Sequence, residues 1–433
     1  MVLLKNDDNI LPIKKGQKIA VIGEMAKDPR FQGAGTSVIN PTMLDTAYNA
    51  LSDLGIDILY SQGYDKSKDE INREMINHAV DTAKRADIVI VFAGLTEGFE
   101  AEGYDRNNIE MPGCHNHLIS EIAKANPNTV VVLAGGSVIH MPWINDVKGL
   151  LNSSLGGQAG GSTVANILTG KVNPSGKTSE TYPLSFSDNP TYGNYPGGPV
   201  TSEHRESIYI GYRYYDTAKK DVLFPFGYGL SYTTFEYSDI KLSADSIRDT
   251  DTITVSFKIK NTGSIDGAEI AQLYVADKES TIFRPAKELK GFKKVLLKAG
   301  EEKEVSIELS KRAFAFWNVN INDWIVETGE FDILVGASSR DIKLSKTITV
   351  ESTDIAEIPD YRETAPAYYT ADINDMNGKQ FESVYGKSMP SPEIDRTKKL
   401  DIYCCINDAQ YTKWGGKIAK LIKFIMIKMA GSE

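Results

Sequence analysis

The stretch DIVIVFAGL, residues 87–95, decides the fold, because this apolar run ends in a polar loop, TEGFEAEGYDR, at residues 96–106. Apolar runs of this length are typical of strands that are buried on both faces of a sheet. Similar runs occur at KIAVIG (18–23), DILYSQG (57–63), TVVVLAGG (129–136) and VKGLLNSSL (147–155). They alternate with helical patterns, which predicts an α/β fold with a doubly wound, mainly parallel sheet.

The segments between these runs have helical periodicity. Apolar residues recur at helical spacing over residues 71–83, and HNHLISEIAKAN, residues 115–126, repeats the pattern before the next strand. In such a fold, ligands gather at the carboxyl ends of the parallel strands. We therefore expect one α/β domain over residues 18–234, preceded by a linker over residues 1–17.

From Phe235 the pattern changes to the alternation that is typical of half-buried strands. Apolar residues alternate with polar ones over residues 253–259, 271–275 and 305–309, and the turn sequences NTGSIDG, KAGEE and ETGE separate the runs. About seven such strands indicate an all-β, immunoglobulin-like or fibronectin type III-like sandwich. We place this second domain at residues 235–350.

Residues 351–433 form a C-terminal tail that is rich in Pro, Tyr, Asp and Lys, and we expect it to be extended and partly ordered except for a helix at 414–430. In that helix lysines interrupt an apolar run, and the run is too short to cross a bilayer. The apolar residues wrap more than one face, which favours burial against protein over a membrane surface. The sequence therefore predicts self-association through this helix, whose apolar members are Ile418, Leu421, Ile422, Phe424, Ile425, Met426, Ile427 and Met429.

Composition excludes several classes of function. The net charge is -10 and the cations are mostly interspersed with acids, so a nucleic acid is not an expected partner. Cys114, Cys404 and Cys405 fit neither a disulfide framework nor a zinc site. The N-terminal apolar run is interrupted by charged residues from Lys5 onward, unlike a signal peptide. We expect a cytoplasmic protein without a metal or an organic cofactor.

The loop after the third run holds the residues with the clearest chemical potential. Glu97, Glu100, Glu102 and Asp105 lie there with a single cation, Arg106. Because crowded carboxylates resist simultaneous ionisation, at least one is expected to have a raised pKa, as a general acid requires. A solvated acidic turn would explain the same composition equally well.

Several motifs in fixed order give the chain a resemblance to glycoside hydrolase family 3, in the part that follows the family's catalytic barrel. The similarity covers residues 3–350. Its motifs are LLKNDDNILPI (3–13), QGAGTS (32–37), EGYDR (102–106), NPSGKTSETYP (173–183), GYRYYD (211–216), FPFGYGLSYTTFEY (224–237) and KELKGFKKVLLKAGE (287–301). The resemblance implies a β-glucosidase-like hydrolase in which this region forms the α/β domain and the fibronectin type III-like domain.

The resemblance also implies a division of labour between two domains. In the family, the barrel provides an aspartate nucleophile and the α/β domain provides a glutamate acid/base, which falls here on Glu102, with Glu100 and Glu97 as alternatives. The sequence contains neither the barrel nor its Ser-Asp-Trp-type motif. Asp323 in Asn-Asp-Trp is a superficial match within the sandwich, and we reject it as a nucleophile. The chain alone is thus expected to have little activity.

Two functions remain open at this stage. The chain could supply the acid/base for retaining hydrolysis of β-glucosides or short oligosaccharides, with the barrel on a separate chain or on a lost upstream segment. Alternatively, it could be a non-catalytic module that binds carbohydrate or a protein partner. The aromatic segments GYRYYD and FPFGYG suit a sugar-stacking surface, but the core of the domain junction is the favoured interpretation.

Overall fold

The computed structural model describes residues 1–198, 201–393, 401, 402, 404, 408, 411, 412 and 414–430. The first domain alternates strands and helices, as the apolar runs predict. Its elements are β1 (Val2–Asn6), β2 (Ile19–Ile22), α1 (Ala47–Asp53), β3 (Ile58–Ser61), α2 (Arg73–Ala83), β4 (Ile88–Gly94), α3 (Gly113–Ala125), β5 (Thr129–Ala134), β6 (Gly149–Asn152) and α4 (Gly160–Leu168).

The six strands form one sheet in the order β1-β6-β5-β4-β2-β3. Strands β2 to β6 are parallel, whereas β1 pairs antiparallel with β6. All seven residues of β4 are buried, because helices cover both faces of the sheet. The α/β prediction is therefore confirmed, and the five apolar runs correspond to β2 to β6.

The structure corrects the prediction that residues 1–17 form a linker. Val2–Asn6 is an edge strand of the sheet, and Leu3 and Leu4 are fully buried in its core. Leu3 also forms a β-bridge with Leu230 near the end of the domain. The apolar run at Val2–Asn6 is short and no helical segment follows it, so its sequence did not indicate a parallel strand. The α/β domain therefore includes the N-terminal segment.

A short β-ribbon and a helix lead from this domain into the β-sandwich. The bounds are β7 (Tyr182–Pro183), α5 (Tyr212–Thr217), β8 (Val222–Phe224), β9 (Phe235–Leu242), β10 (Ser246–Arg248), β11 (Ile253–Asn261), β12 (Gly267–Asp277), β13 (Glu288–Leu297), β14 (Glu302–Leu309), α6 (Lys311–Phe314), β15 (Phe316–Asn318), β16 (Asp323–Ile325), β17 (Gly329–Gly336) and β18 (Ile342–Glu351). Three 3-10 helices, Asp7–Asn9, Glu24–Ala26 and Phe186–Asp188, complete the two domains.

Two sheets, β10-β18-β17-β12-β13 and β14-β11-β9, form the sandwich, and β15 and β16 form a separate hairpin. The alternating residues of β11 and β12 point into its core as predicted, and Ile253, Phe257 and Leu273 are fully buried there. Asp323 lies exposed in the hairpin, where its carboxylate accepts a hydrogen bond from the backbone N–H of Trp324 at 2.7 Å.

The first part of the tail is more ordered than its composition predicts. Residues up to 385 include α7 (Ala367–Thr370) and α8 (Gly378–Tyr385) and build a third hydrophobic cluster with α5 and the sandwich. Tyr209, Tyr214 and Tyr368 are buried in this cluster, and the hydroxyl of Tyr209 donates to the carbonyl of Tyr368. Aromatic side chains at this junction are thus part of a core, which is the interpretation that the sequence favoured.

The last helix, α9 (Gly415–Ala430), confirms the C-terminal helix that the sequence predicts. Its described apolar side chains are exposed, and they include Leu421 at 58% and Phe424 at 59%. Cys405 and the side chains of Ile427 and Met429 lie outside the described part of the chain. No helix in the described ranges is long and apolar enough to cross a bilayer.

Candidate active site

The acidic loop begins where β4 ends, at Gly94. There φ is +154°, and a Cβ atom would lie 1.9 Å from the carbonyl oxygen of Ala134 at the end of β5. Only glycine permits so close an approach of two strands. Leu95 then donates its backbone N–H to the same carbonyl at 2.9 Å. This contact fixes the point at which the loop leaves the sheet.

Glu100 is a tether that holds the loop to the sheet. Its carboxylate accepts hydrogen bonds from the backbone N–H of Gly136 at 2.9 Å and from Ser137 Oγ at 2.7 Å. Arg30 lies 3.3 Å from the same carboxylate and donates to the carbonyl of Glu100 at 2.8 Å. Both carboxylate oxygens are therefore engaged, which leaves Glu100 poorly suited to exchange a proton with a ligand.

Arg106 holds the other end of the loop. Its guanidinium donates to Ser137 Oγ at 2.7 Å, to the carbonyl of Val138 at 2.9 Å and to the carbonyl of Glu110 at 2.8 Å. Burial lowers the pKa of Arg106, and the nearby charge of Glu100 opposes this change. Arg106 thus turns toward the loop after β5 and forms no ion pair with the four acidic residues that precede it in the loop.

Glu102 lies between these two tethers and is exposed. One of its oxygens accepts hydrogen bonds from the backbone N–H and from Oγ1 of Thr36, at 2.7 Å and 2.6 Å. Thr36 belongs to the glycine-rich segment after β2, so this contact joins two loops at the carboxyl edge of the sheet. The two hydrogen bonds stabilise the ionised form and lower the pKa of Glu102.

Glu97 and Asp105 point elsewhere. The hydroxyl of Tyr104 donates to the backbone carbonyl of Glu97, which closes the tip of the loop, and the Glu97 side chain is exposed. A hydrogen bond with Asp105 raises the pKa of Tyr195, a residue of a separate loop. The four carboxylates therefore diverge, although they are close in sequence.

The sequence predicted a raised pKa for at least one of the four carboxyls, whereas the pKa of Glu102 is lowered. Crowding raises a pKa only where carboxylates face one another, but hydrogen bonds hold Glu100 to the loop after β5 and Glu102 to the segment after β2. A raised pKa occurs instead at Glu180, where surrounding atoms remove part of the hydration and Glu100 contributes a like charge, against the opposing charge of Arg106. Glu180 lies in the NPSGKTSETYP motif, which gave no indication of such a role.

Sequence reasoning also missed Thr36, Arg30 and Ser137, which position the loop. Ser137 lies just after β5, and Arg30 and Thr36 lie in the long segment between β2 and α1. Their place in a doubly wound sheet is the signal that could have identified them. The segment between β2 and α1 and the acidic loop also expose apolar side chains, which are Val38 at 49%, Ile39 at 62%, Met43 at 72% and Tyr104 at 46%.

Comparison with known families agrees with both domains. Residues 1–232 match the Glycosyl hydrolase family 3 C-terminal domain, and residues 269–339 match the Fibronectin type III-like domain. The chain is 51% identical over 356 residues to thermostable beta-glucosidase B of Acetivibrio thermocellus, an alignment that covers 82% of this chain and 47% of that enzyme. It is 45% identical over 361 residues to an exo-alpha-(1->6)-L-arabinopyranosidase of Bifidobacterium breve, which covers 81% of this chain and 47% of that protein.

Solved structures give the same result. The GH3 beta-glucosidase of Bifidobacterium adolescentis superimposes with a TM-score of 0.78 at 39% identity, over 96% of this chain and 55% of that enzyme. Beta-glucosidase 3B of Thermotoga neapolitana, in complex with glycerol, gives a TM-score of 0.72 at 32% identity, over 81% of this chain and 52% of that enzyme.

The chain spans about half the length of the curated relatives that it matches. Its described residues form the α/β domain, the sandwich and the tail, and they include no (β/α)8 barrel. The family match, the order of the motifs and the sheet topology agree over the first 232 residues. The chain therefore belongs to glycoside hydrolase family 3, of which it contains the C-terminal α/β domain and the fibronectin type III-like domain.

Proposed function

We propose that Glu102 is the general acid/base of a retaining glycosidase, and that the nucleophile comes from a catalytic barrel outside this sequence. The substrates would be β-linked glucosides or short oligosaccharides. The observation that carries the proposal is the placement of Glu102: it is an exposed carboxylate on a loop that Glu100 and Arg106 fix on both sides. A proton-transfer group needs both access to the substrate and a fixed position.

The alternatives fit this role less well. Both oxygens of Glu100 are engaged by Gly136, Ser137 and Arg30, so a proton on this carboxyl would break contacts that hold the loop. Glu97 lies at the end of the loop nearest β4, and its side chain forms no hydrogen bond with the described residues that would orient an acid/base. Glu102 is oriented by Thr36 through one oxygen, and its second oxygen has no hydrogen bond to the described residues, so it is available to a substrate.

The lowered pKa of Glu102 belongs to a surface that is open to water. If a barrel covers this surface, the carboxyl loses hydration and lies near the nucleophilic aspartate, and both changes raise the pKa of a carboxyl group. The exposed apolar side chains of Val38, Ile39 and Met43 border the same surface and would be buried by such a cover. Docking would therefore convert Glu102 into a group that is protonated at a working pH.

The mechanism follows from two carboxyl groups that lie about 5–5.5 Å apart in retaining enzymes. In the first step, Glu102 donates its proton to the glycosidic oxygen while the aspartate of the barrel attacks the anomeric carbon. In the second step, ionised Glu102 accepts a proton from water, and the resulting hydroxide equivalent releases the sugar from the aspartate. Because this chain would supply only one of the two groups, we expect negligible hydrolysis by the chain alone.

The test compares leaving groups in a protein that contains both this chain and a barrel. Glu102→Gln should lower kcat/KM by about 10²–10⁴-fold for substrates with poor leaving groups and far less for activated aryl glycosides, because only the former need a proton. Glu100→Gln and Glu97→Gln are the matched controls, and they should not discriminate between the two substrate types. Equal losses on both types for Glu102→Gln would refute the assignment.

A further measurement uses the chain by itself. Purified alone, it should hydrolyse aryl β-glucosides at a negligible rate. A rate comparable to that of complete β-glucosidases would contradict the need for a separate nucleophile. If none of Glu102→Gln, Glu100→Gln and Glu97→Gln has an effect with the barrel present, the chain would instead be the non-catalytic, carbohydrate-binding or partner-binding module that the sequence left open.

A further inference from the structure

A cleft lies beside the acidic loop, at the point where the order of the sheet reverses. Strand β2 has β3 on one side and β4 on the other, and the loops after these three strands enclose a cavity of ≈ 570 Å³. In open α/β sheets, ligands bind in the crevice at such a reversal. The volume falls within the range of about 300–1,000 Å³ that is typical of small-molecule sites.

The charges that line the cleft are balanced. Three cations, Arg30, Lys66 and Lys68, face three carboxylates, and the latter are Asp28, Asp69 and Glu97. A lining without excess charge favours neither an anion nor a cation as its ligand. The expected ligand is therefore uncharged overall.

Four of these six groups already have partners. Lys66 forms an ion pair with Asp28, and Arg30 pairs with Glu100. Asp69 accepts the backbone N–H of Cys114 at 2.9 Å, at the beginning of α3. Although partial desolvation acts to raise it, the pKa of Asp69 is lowered by hydrogen bonds from this end of the helix.

The two remaining groups, Lys68 and Glu97, form no ion pair and their side chains form no hydrogen bond with the described residues, although both line the cleft. A hydroxyl group can accept a hydrogen bond from an ammonium and donate one to a carboxylate. Lys68 and Glu97 therefore offer complementary partners to a ligand that carries several hydroxyls.

The rings of Phe31 and Phe99 also line the cleft, and both are half-buried. Aromatic rings give a binding site apolar area in a defined orientation. A pyranose has both kinds of surface, since C–H groups cover its faces and hydroxyls surround its edge. We infer that this cleft binds an uncharged oligosaccharide, with its hydroxyls on Lys68 and Glu97 and its ring faces against Phe31 and Phe99.

The inference rests on the proposed function for the identity of the sugar, because Glu97 and Phe99 belong to the loop that carries Glu102. A saccharide in the cleft would lie on the same edge of the sheet as the acid/base. The cleft would thus hold a distal part of an oligosaccharide substrate and favour longer substrates over monosaccharide derivatives.

The experiment measures binding of cellotetraose to the chain itself by two-dimensional amide NMR. Saturable shifts are expected at amides in the cleft, including those of Ser67, Lys68 and Gly98. The double variant Lys68→Met, Glu97→Gln should weaken binding by about tenfold, because two hydrogen bonds to charged groups are removed. Both side chains are exposed, so folding should be unaffected, and the dispersion of the spectrum checks this.

The matched control is Lys124→Met, Glu121→Gln, which makes the same changes in an exposed ion pair on α3 and should leave binding unchanged. Absence of saturable shifts in the cleft, equal affinity of the double variant, or tighter binding of a zwitterionic dipeptide such as Gly-Gly would overturn the inference. The NMR experiment measures binding alone, whereas the acid/base role of Glu102 is tested by the response of kcat/KM to the leaving group. Failure of the cleft therefore leaves the acid/base assignment to its own test with different leaving groups.

Discussion

Thr36 donates two hydrogen bonds to a single oxygen of Glu102, from its backbone N–H at 2.7 Å and from Oγ1 at 2.6 Å. Both bonds stabilise the negative charge on that oxygen. They also couple the loop after β2 to the loop after β4, so the conformation of one loop determines where the carboxylate of the other points. The protonation of Glu102 and the position of the glycine-rich segment are therefore linked.

Thr36→Val should raise the pKa of Glu102, because the side-chain hydrogen bond is the largest cause of its lowering and valine keeps the shape of threonine. The backbone N–H of residue 36 should keep part of the effect. Carbon-detected NMR titration of the Glu102 carboxyl measures the change. Ser37→Ala removes the neighbouring hydroxyl and should leave this pKa unchanged. A Thr36→Val chain with an unaltered or lower pKa would show that the side-chain contact does not persist in solution.

The sequence predicted the sheet well because each buried parallel strand is a continuous apolar run, and such runs are visible without tertiary information. It did not predict β1, since an antiparallel edge strand has no following helix to identify it. The acidic loop was found for the same reason as the sheet, from its place after β4. The partners of Glu100 and Glu102 were not, because Gly136 and Thr36 come from other loops that only the folded sheet brings to one edge.

Arg30 and Glu100 provide a test of how firmly the loop is held. Arg30 is buried, and its Nε and Nη1 atoms have no hydrogen-bond partner among the described residues, so Glu100 is its main electrostatic compensation. Glu100→Gln should therefore lower the free energy of unfolding of the α/β domain by about 2 kcal/mol, less than for a fully buried pair because Glu100 is partly exposed. Chemical denaturation followed by fluorine NMR of labelled Trp143, which is buried in this domain, measures the change.

Two controls make this measurement specific. Glu121→Gln breaks an exposed ion pair with Lys124 and should cost less than about 1 kcal/mol. The double variant Arg30→Met, Glu100→Gln should recover part of the loss, since it removes the buried charge together with its partner. If the double variant is less stable than the sum of the two single changes predicts, the pair is not the source of the coupling.

Protonation of His115 should make the stability of the α/β domain depend on pH. Burial lowers the pKa of His115 from 6.5 to about 4, against a smaller opposing effect of the carbonyl of Gly94. Nδ1 lies 3.0 Å from that carbonyl, and the ring packs against Tyr64. The unfolded chain binds the imidazole proton more tightly than the folded chain does. The contribution of neutral His115 to the free energy of unfolding is therefore fully present above about pH 6.5 and is lost as the pH falls toward 4. The full loss amounts to about 3 kcal/mol.

Denaturation midpoints between pH 7 and pH 4 check this expectation. His115→Gln should flatten the dependence in that window, whereas His117→Gln, on the exposed face of the same helix, should not. The nearby carboxyl of Asp69 has a lowered pKa, so its own contribution is lost only at still lower pH and does not obscure the window. A His115→Gln chain that retains the slope would assign the effect to another group.

The last prediction concerns α9, whose described apolar side chains are exposed while its lysines carry no ion pair with the described residues. Ile418, Leu421, Ile422 and Ile425 recur at helical spacing and form one apolar stripe, at exposures between 37% and 58%. A stripe of this kind is stabilised when another surface covers it. We expect a second copy of the chain to do so, and removal of residues 414–433 should make the chain more monodisperse in sedimentation velocity. The melting temperatures of the two domains should not fall, because α9 belongs to neither core.

As a matched control, Phe292→Ser removes an exposed apolar side chain on β13 and should leave association unchanged. Identical sedimentation of the full and shortened chains would contradict self-association, as would a full chain that stays monomeric but binds anionic vesicles.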